Sequence, residues 1–446
     1  MTTLPSFSPT ETRTEDAPTV ELPVANINLC AQVRDTCRRW IETPKAKAHV
    51  EVLELHRPDP PATITEDHVT VSNNGTNPNH ISPLALIAQI QQQANVVWDE
   101  EDWHYQLPPV AVVASATATQ EPPSTTSRHQ PNRNRTELTR RRQTRIANYI
   151  LVLDAINFCF WPQLGYEYVD LAQTLTSMAS ADHRPLDHTR EHVDAVLPDH
   201  DRNFLLSAES LQTYTPDQLT KLMALHHKQG KVPPNVAERC QLLNQVGAVL
   251  ATHFEGSAWN VIQAANHSAV RLVGLLVTYF AGFGDFGGTA GSHHHQDPNN
   301  PPSDEMRPIA FLKRAQICVG DWDAALQLNL PDLDQLTTFA DYRVPQVLRN
   351  AGWIRYRPSL AVMVDQGVEI ARDSPEEWSI RAATVVAVEH IVNVLRRQQL
   401  QQSSTHQPTS SSWTAVRVDW YLWQLGERMQ AQGELLPPHK VRTIYY

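Results

Sequence analysis

The chain has 446 residues, enough for two or three average domains or for one large domain with insertions. Its hydrophobic fraction of 41% and its 32 prolines describe a folded core diluted by loops, and a net charge of −11 leaves no overall positive field to hold a long polyanion. Five scattered cysteines (Cys30, Cys37, Cys159, Cys240 and Cys318) form no Cys-x-x-Cys pair, which suits a reducing cytoplasmic home.

Residues 1–25 are polar and Pro-rich and are expected to be a disordered tail. Met1 to Asp16 lacks a basic start followed by an apolar run, so it is not a secretory signal. Asn26 to Trp40 and Ile81 to Trp98 carry apolar residues at helical spacing, with a short strand expected at His49 to Leu55. From Gln106 to Arg142 the Pro, Ser, Thr and Arg content reads as a linker or long insertion. The basic run from Arg140 to Arg145 reads as a solvated cluster before a helix rather than a nucleic-acid patch.

Ile146 to Phe160 is the first strongly buried helix, interrupted by Asp154 and Asn157. Further helices are expected at Leu205 to His227, Val236 to Phe254, Val261 to Phe280, Glu376 to Gln399 and Trp413 to Gln430. The longest apolar segment, Leu272 to Phe283, is too short to span a bilayer. With roughly eight to ten helices and almost no alternating pattern, the fold class is mainly α. Ala181 to Arg202, crowded with His and Asp, and Gly284 to Pro302, rich in Gly, His, Asn and Pro, read as inserted surface loops.

His188 with His192, and His293 to His295, invite a metal reading. Both clusters lie in loop-like sequence without His-Glu-x-x-His, so no functional metal site and no cofactor is expected. Gly282 to Gly288 invites a phosphate-loop reading, but it follows a helix and no Gly-Lys-Ser/Thr comes after it. There is no Gly-x-Ser-x-Gly elbow, and Cys159 and Cys318 sit inside apolar patterns as inert thiols.

Two stretches carry more chemistry. In Phe311 to Asp321, the residues Phe311, Ala315, Cys318, Val319 and Trp322 recur at helical spacing while Lys313 and Gln316 share another face, leaving Lys313 free to point into a cleft. In Thr338 to Leu348, Pro345 suits the first turn of a helix, which places Asp341 just before a helix N-terminus that favours its ionised form. On these residues alone the simpler alternative prevails, with Asp341 a cap and Lys313 a solvated charge. Other polar residues lie within apolar helices: Arg381 and Glu389, best read as members of core ion pairs, and Asp419 in Val418-Asp-Trp-Tyr-Leu-Trp423. Aromatic faces with a few fixed acceptors, as around Asn157 and Asp419, are what a flat heterocyclic base needs.

Leu153-Asp-Ala-Ile-Asn-Phe-Cys-Phe-Trp161, Phe311-Leu-Lys-Arg-Ala-Gln-Ile317, Phe339-Ala-Asp-Tyr-Arg-Val-Pro-Gln346, Val418-Asp-Trp-Tyr-Leu-Trp423 and His439-Lys-Val-Arg-Thr-Ile-Tyr-Tyr446 together resemble the queuosine salvage protein family, in order from about residue 146 onward. The resemblance implies a helical fold similar to the helix-hairpin-helix DNA glycosylases, over 26–446 as a single domain with insertions at about 106–142, 181–202 and 284–302. It implies hydrolysis of queuosine 5′-monophosphate to release queuine, a cytoplasmic nucleotide substrate, no stable nucleic-acid complex and no membrane. By the same resemblance Asp341 and Lys313 are the catalytic residues. Asn157, Phe158, Trp161, Asp419, Trp420 and Arg343 are the substrate-binding ones, with Arg343, Lys440 and Arg442 as candidate phosphate contacts. The alternatives are a glycosylase acting on a base within DNA or RNA, and a helical interaction protein without chemistry.

Overall fold

The computed structural model describes residues 28–53, 81–92, 132–161, 166, 168–179, 206–227, 229–287, 308–403 and 413–446. Among these the protein is mainly α, as its periodicity predicts. The helices are α1 Leu29–Glu42, α2 Pro44–Lys47, α3 Pro83–Gln92, α4 Asn132–Ile156, α5 Tyr168–Ala179, α6 Ala208–Leu211, α7 Pro216–His226 and α8 Val236–His253. There follow α9 Ala258–Ala264, α10 Ala269–Tyr279, α11 Lys313–Leu326, α12 Arg343–Asn350, α13 Pro358–Asp365, α14 Pro375–Ser403 and α15 Ala415–Gln432. Three two-stranded ribbons tie distant loops together. Val50–Val52 pairs antiparallel with Ile354–Tyr356, Phe286–Gly287 antiparallel with Ile309–Ala310, and Glu369–Ile370 parallel with Lys440–Val441.

Several boundaries differ from the sequence expectation, each for a local reason. The stretch 205–227 is two helices, because Thr215 and Gln218 form a reciprocal capping box and Pro216 starts a new helix at its first position. The stretch 261–280 is also two, broken where Asn266 and His267 take left-handed backbone and Ser268 caps the next helix. Helix α4 begins at Asn132, inside the expected linker. Arg, Glu, Leu and Gln propagate a helix readily once its buried half has nucleated it. Within the expected loop from Gly284, Phe286–Gly287 is a strand of a ribbon, with Asp285 buried just before it. The expectations for 1–25, 106–131, 181–202 and 288–302 lie outside the described residues.

Burial divides the interior into two apolar clusters. The first gathers α1, α4, α8, α10 and α11, and the second gathers α12, α14 and α15 around Trp353 and Tyr356. Chain segment 338–344 crosses from one to the other, since Ala340 belongs to the first and Val344 to the second. Among the described residues Pro375–Gln401 is, by length and mean hydropathy, long and apolar enough to cross a membrane. In this fold 78% of its apolar window is buried within the protein, so that apolar character is used in forming the core.

Helix α8 approaches α6 through Gly247, where a Cβ would stand 2.6 Å from the Ala208 carbonyl oxygen and 2.7 Å from the Gln212 nitrogen. Backbone cannot rotate away as a side chain can. Gly247→Ala is therefore expected to lower the unfolding free energy by about 1–3 kcal/mol, read from the midpoint of a urea titration.

Candidate active site

The site starts where α11 starts. Lys313 is its first residue, and the preceding Leu312 has a φ of 52°, a left-handed conformation that a branched side chain adopts only when held there. Asp285 does the holding. Its carbonyl accepts from the amides of Phe311 (3.0 Å) and Leu312 (3.3 Å), and its Oδ2 accepts from the amide of Lys313 (3.2 Å). All of Lys313, Arg314, Ala315 and Gln316 are buried, so this turn has no solvent-facing side. Lys313 is only 5% exposed and is not a solvated surface charge. Burial pulls its pKa below the usual lysine value, while the nearby Asp341 and then Asp154 pull it back up.

Gln316 brings the two motifs together. Its amide nitrogen donates to the Phe311 carbonyl (3.0 Å) and to Thr337 Oγ1 (2.8 Å), and its Oε1 accepts from the Thr337 amide (2.8 Å). Four residues on, Asp341 caps α12 as expected: Oδ1 accepts from the amides of Arg343 (2.8 Å) and Val344 (2.9 Å). Burial nonetheless raises its pKa above the usual carboxylate value, opposed first by the charge of Lys313 and then by the two amides. Both amides use Oδ1. No direct salt bridge joins Lys313 to Asp341 among the described residues, and each is the other's leading charged influence.

Asp419, from α15, closes the same segment from the other side. Its Oδ1 accepts from Thr338 Oγ1 and from the Phe339 amide (2.7 Å). Burial, then the negative charge of Asp341, pushes its pKa up to about 8. Trp420 stands next to it, with Gly320 of α11 so placed that a Cβ there would lie 3.4 Å from both the Trp420 and Phe339 rings. Asp341, Lys313, Asp419 and Trp420 are thus gathered around residues 338–341.

The end of α4 supplies the remaining wall. Asn157 and Phe158 lie just past the helix, where Cys159 takes a φ of 46°. The helix-end carbonyls are bound by buried guanidinium groups. Arg239 donates to the carbonyls of Ile156, Phe158 and Cys159, and Arg314 to those of Asp154, Ala155 and Gly282. Phe158 is fully buried with the Arg239 guanidinium 4.3 Å above its ring, so that face is already covered by protein. Asn157 stands beside Asp154, a fully buried carboxyl neither of whose oxygens has a regular hydrogen bond. Burial, then the nearby Asp321, raises the Asp154 pKa well above the carboxylate range.

Other expected residues are engaged elsewhere. Trp161 donates from Nε1 to the Val441 carbonyl (3.0 Å). Arg343 is buried, with Nε on Glu427 (2.8 Å) and Nη1 on Gln346 (2.7 Å) and Gln430 (3.1 Å), so its guanidinium serves the packing of α12 on α15. Arg442 lies 3.5 Å from Glu369 and is half exposed. Arg381 and Glu389 form ion pairs as expected, though not with each other, since eight residues of helix separate the two by about 12 Å. Arg381 instead meets Asp285 (3.0 and 2.6 Å), and Glu389 meets Arg34 (3.0 Å). Asp285 was hidden by the glycines around it, which read as loop. The His188 and His293 clusters lie outside the described residues, and among those residues no group of three or more His, Cys, Asp or Glu is placed to hold a metal.

An acid whose pKa lies near 3.8 unfolded and about 8 folded binds more protons in the folded state across that window. Stability from Asp419 is therefore fully present below the unfolded value and is lost as pH rises through the folded one. Asp419→Asn keeps an acceptor for Thr338 and Phe339 while removing the charge. It is expected to raise the unfolding free energy near pH 9 by on the order of 1 kcal/mol or more and to change little near pH 4, as followed by calorimetry at both pH values.

A sequence model of the queuosine salvage protein family matches residues 138–446, which include every one of these site residues. A Dictyostelium discoideum protein named queuosine 5′-phosphate N-glycosylase/hydrolase is 35% identical over 306 residues, covering 67% of this chain and 78% of that protein. A Sphaerobacter thermophilus protein of the same name is 33% identical over 376 residues, 82% of this chain and 98% of that protein. A Bos taurus protein, again so named, is 28% identical over 314 residues. The chain belongs to the queuosine salvage protein family.

Proposed function

We propose that this protein hydrolyses the N-glycosidic bond of queuosine 5′-phosphate and releases the base queuine for salvage. The observation that carries the reading is that a buried lysine and a buried aspartate, Lys313 and Asp341, stand at the starts of α11 and α12, which the Gln316–Thr337 hydrogen bonds bring together. Both lie in the stretch shared with relatives named for this activity.

Breaking the bond between C1′ and the base nitrogen builds positive charge on the ribose. A fixed carboxylate facing C1′ stabilises that cation or attacks it, and water supplies the hydroxyl that remains on the sugar and the proton taken by the departing base. Asp341 fills this role, its Oδ1 tied to α12 and its Oδ2 bearing no hydrogen bond in the described structure. Lys313 favours the ionised form of that carboxylate against the penalty of burial. A 7-deazaguanine has carbon in place of N7, so its departure is not helped by protonation there, and hydrogen bonds on its remaining edge must hold it. Asp419 and Asn157 are the groups for that edge, with Trp420 offering a ring face. Arg343, engaged by Glu427, Gln346 and Gln430, is a weaker phosphate contact than the sequence suggested.

The likeness of the fold to helix-hairpin-helix DNA glycosylases is part of the same proposal and is supported by the family resemblance and the mainly helical architecture. So is a cytoplasmic location without cofactor or membrane, supported by five buried, unpaired thiols.

Asp341→Asn is expected to lower kcat by about 10²–10⁴-fold with little change in Tm. Lys313→Ala is expected to lower it by a comparable factor and, by removing the charge that depresses the Asp341 pKa, to move the acid limb of kcat/KM to higher pH. Release of queuine, followed by chromatography, is the measurement. Full turnover by Asp341→Asn, or faster release from intact tRNA than from the mononucleotide, would overturn the reading.

A further inference from the structure

We propose that the buried pair Asp285–Arg381 is a positioning clamp that sets where the Lys313 ammonium stands relative to the Asp341 carboxylate. This rests on the function proposed above. Neither residue is placed to touch a reacting atom, yet between them they hold the backbone on both sides of the site.

On the lysine side, Asp285 engages three successive amides, of Phe311, Leu312 and Lys313, and so keeps Leu312 in its left-handed conformation. Release of that hold lets Leu312 return to an ordinary φ and swings the first turn of α11, which bears Lys313. On the carboxylate side, Arg381 Nε donates to the carbonyl of Ala340 (3.1 Å), the residue just before Asp341. The remaining guanidinium edge grips both oxygens of Asp285 at 3.0 and 2.6 Å. One planar, five-donor group thus links the two backbone segments through rigid hydrogen bonds.

The clamp is itself held. Phe311 and Tyr446 lie on the guanidinium, at 4.0 and 4.4 Å from their ring centroids, and Glu377 lies 3.9 Å away. Tyr446 donates from its hydroxyl to Glu377 (3.0 Å), and its carbonyl accepts from the Cys159 amide (2.9 Å), which extends the same network to the turn bearing Asn157. A buried ion pair of this kind contributes little net stability compared with well-packed apolar residues. Its geometry, which a lysine cannot reproduce, is what it adds.

Two variants test the clamp. Arg381→Lys retains the charge but not the fork, and the double variant Asp285→Leu with Arg381→Met removes both charges together, so that neither is left buried alone. The wild type is assayed first on queuosine 5′-phosphate, and its failure to release queuine would sink the proposed function by itself. With an active wild type, the folded variants are expected to lose about 100-fold in kcat while KM stays within about threefold. Crystal structures of wild type and double variant give a readout that needs no activity: a shift of about 1 Å or more between Lys313 and Asp341 is expected. Unchanged kcat in a folded variant, an unmoved Lys313–Asp341 separation, or failure of both variants to fold would each overturn the clamp, the last assigning the pair to stability alone.

Discussion

Everything in this site depends on buried backbone that has left its helix and still needs hydrogen bonds. An unpaired peptide carbonyl in an apolar interior is costly, and four segments at the site, 157–159, 284–285, 311–312 and 338–341, lie outside helix and strand. Three arginines meet the need. Arg239 and Arg314 bind the carbonyls at the end of α4, and Arg381 binds that of Ala340. A guanidinium stays charged in apolar surroundings and carries several donors, so Arg239 and Arg314 serve three carbonyls each, while Arg381 serves one and the Asp285 carboxylate.

Around this scaffold the charges are unevenly balanced. Asp154, Asp341 and Asp419 are all buried close to the ammonium of Lys313, and Asp321 is buried near Asp154. Burial raises the pKa of Asp154, Asp341 and Asp419 alike, reinforced by Asp321 at Asp154 and by Asp341 at Asp419, while Lys313 and two amides oppose it at Asp341. Carboxyls of one chemical type are thus set in different surroundings. For the proposed reaction that means one group to face a developing cation and others able to hydrogen-bond a heterocycle.

Much of this was legible in the chain. Helical periodicity found α4, α8, α14 and α15, and the proline after Asp341 marked the α12 terminus and its cap. Lys313 was placed on the right helix but taken for a residue on a polar face, because period alone does not reveal that a helix is buried all round. Asp285 was missed for the same kind of reason. Its flanking glycines signal a loop, and only the fold shows that Gly287 is small because the Trp378 ring lies against it, 2.5 Å from where a Cβ would be. The pairing of Arg381 with Asp285 spans 96 positions, and no local pattern predicts a partner at that distance.

The Cys159 amide meeting the Tyr446 carbonyl, nearly three hundred residues away, has a bearing on how activity arises during folding. Each wall of the site is completed by a segment remote in sequence, so no early local intermediate possesses a partial version of it. Catalytic competence then arrives in a single late step, and a brief local detachment of residues 439–446 would silence the enzyme long before the bulk of the helices came apart.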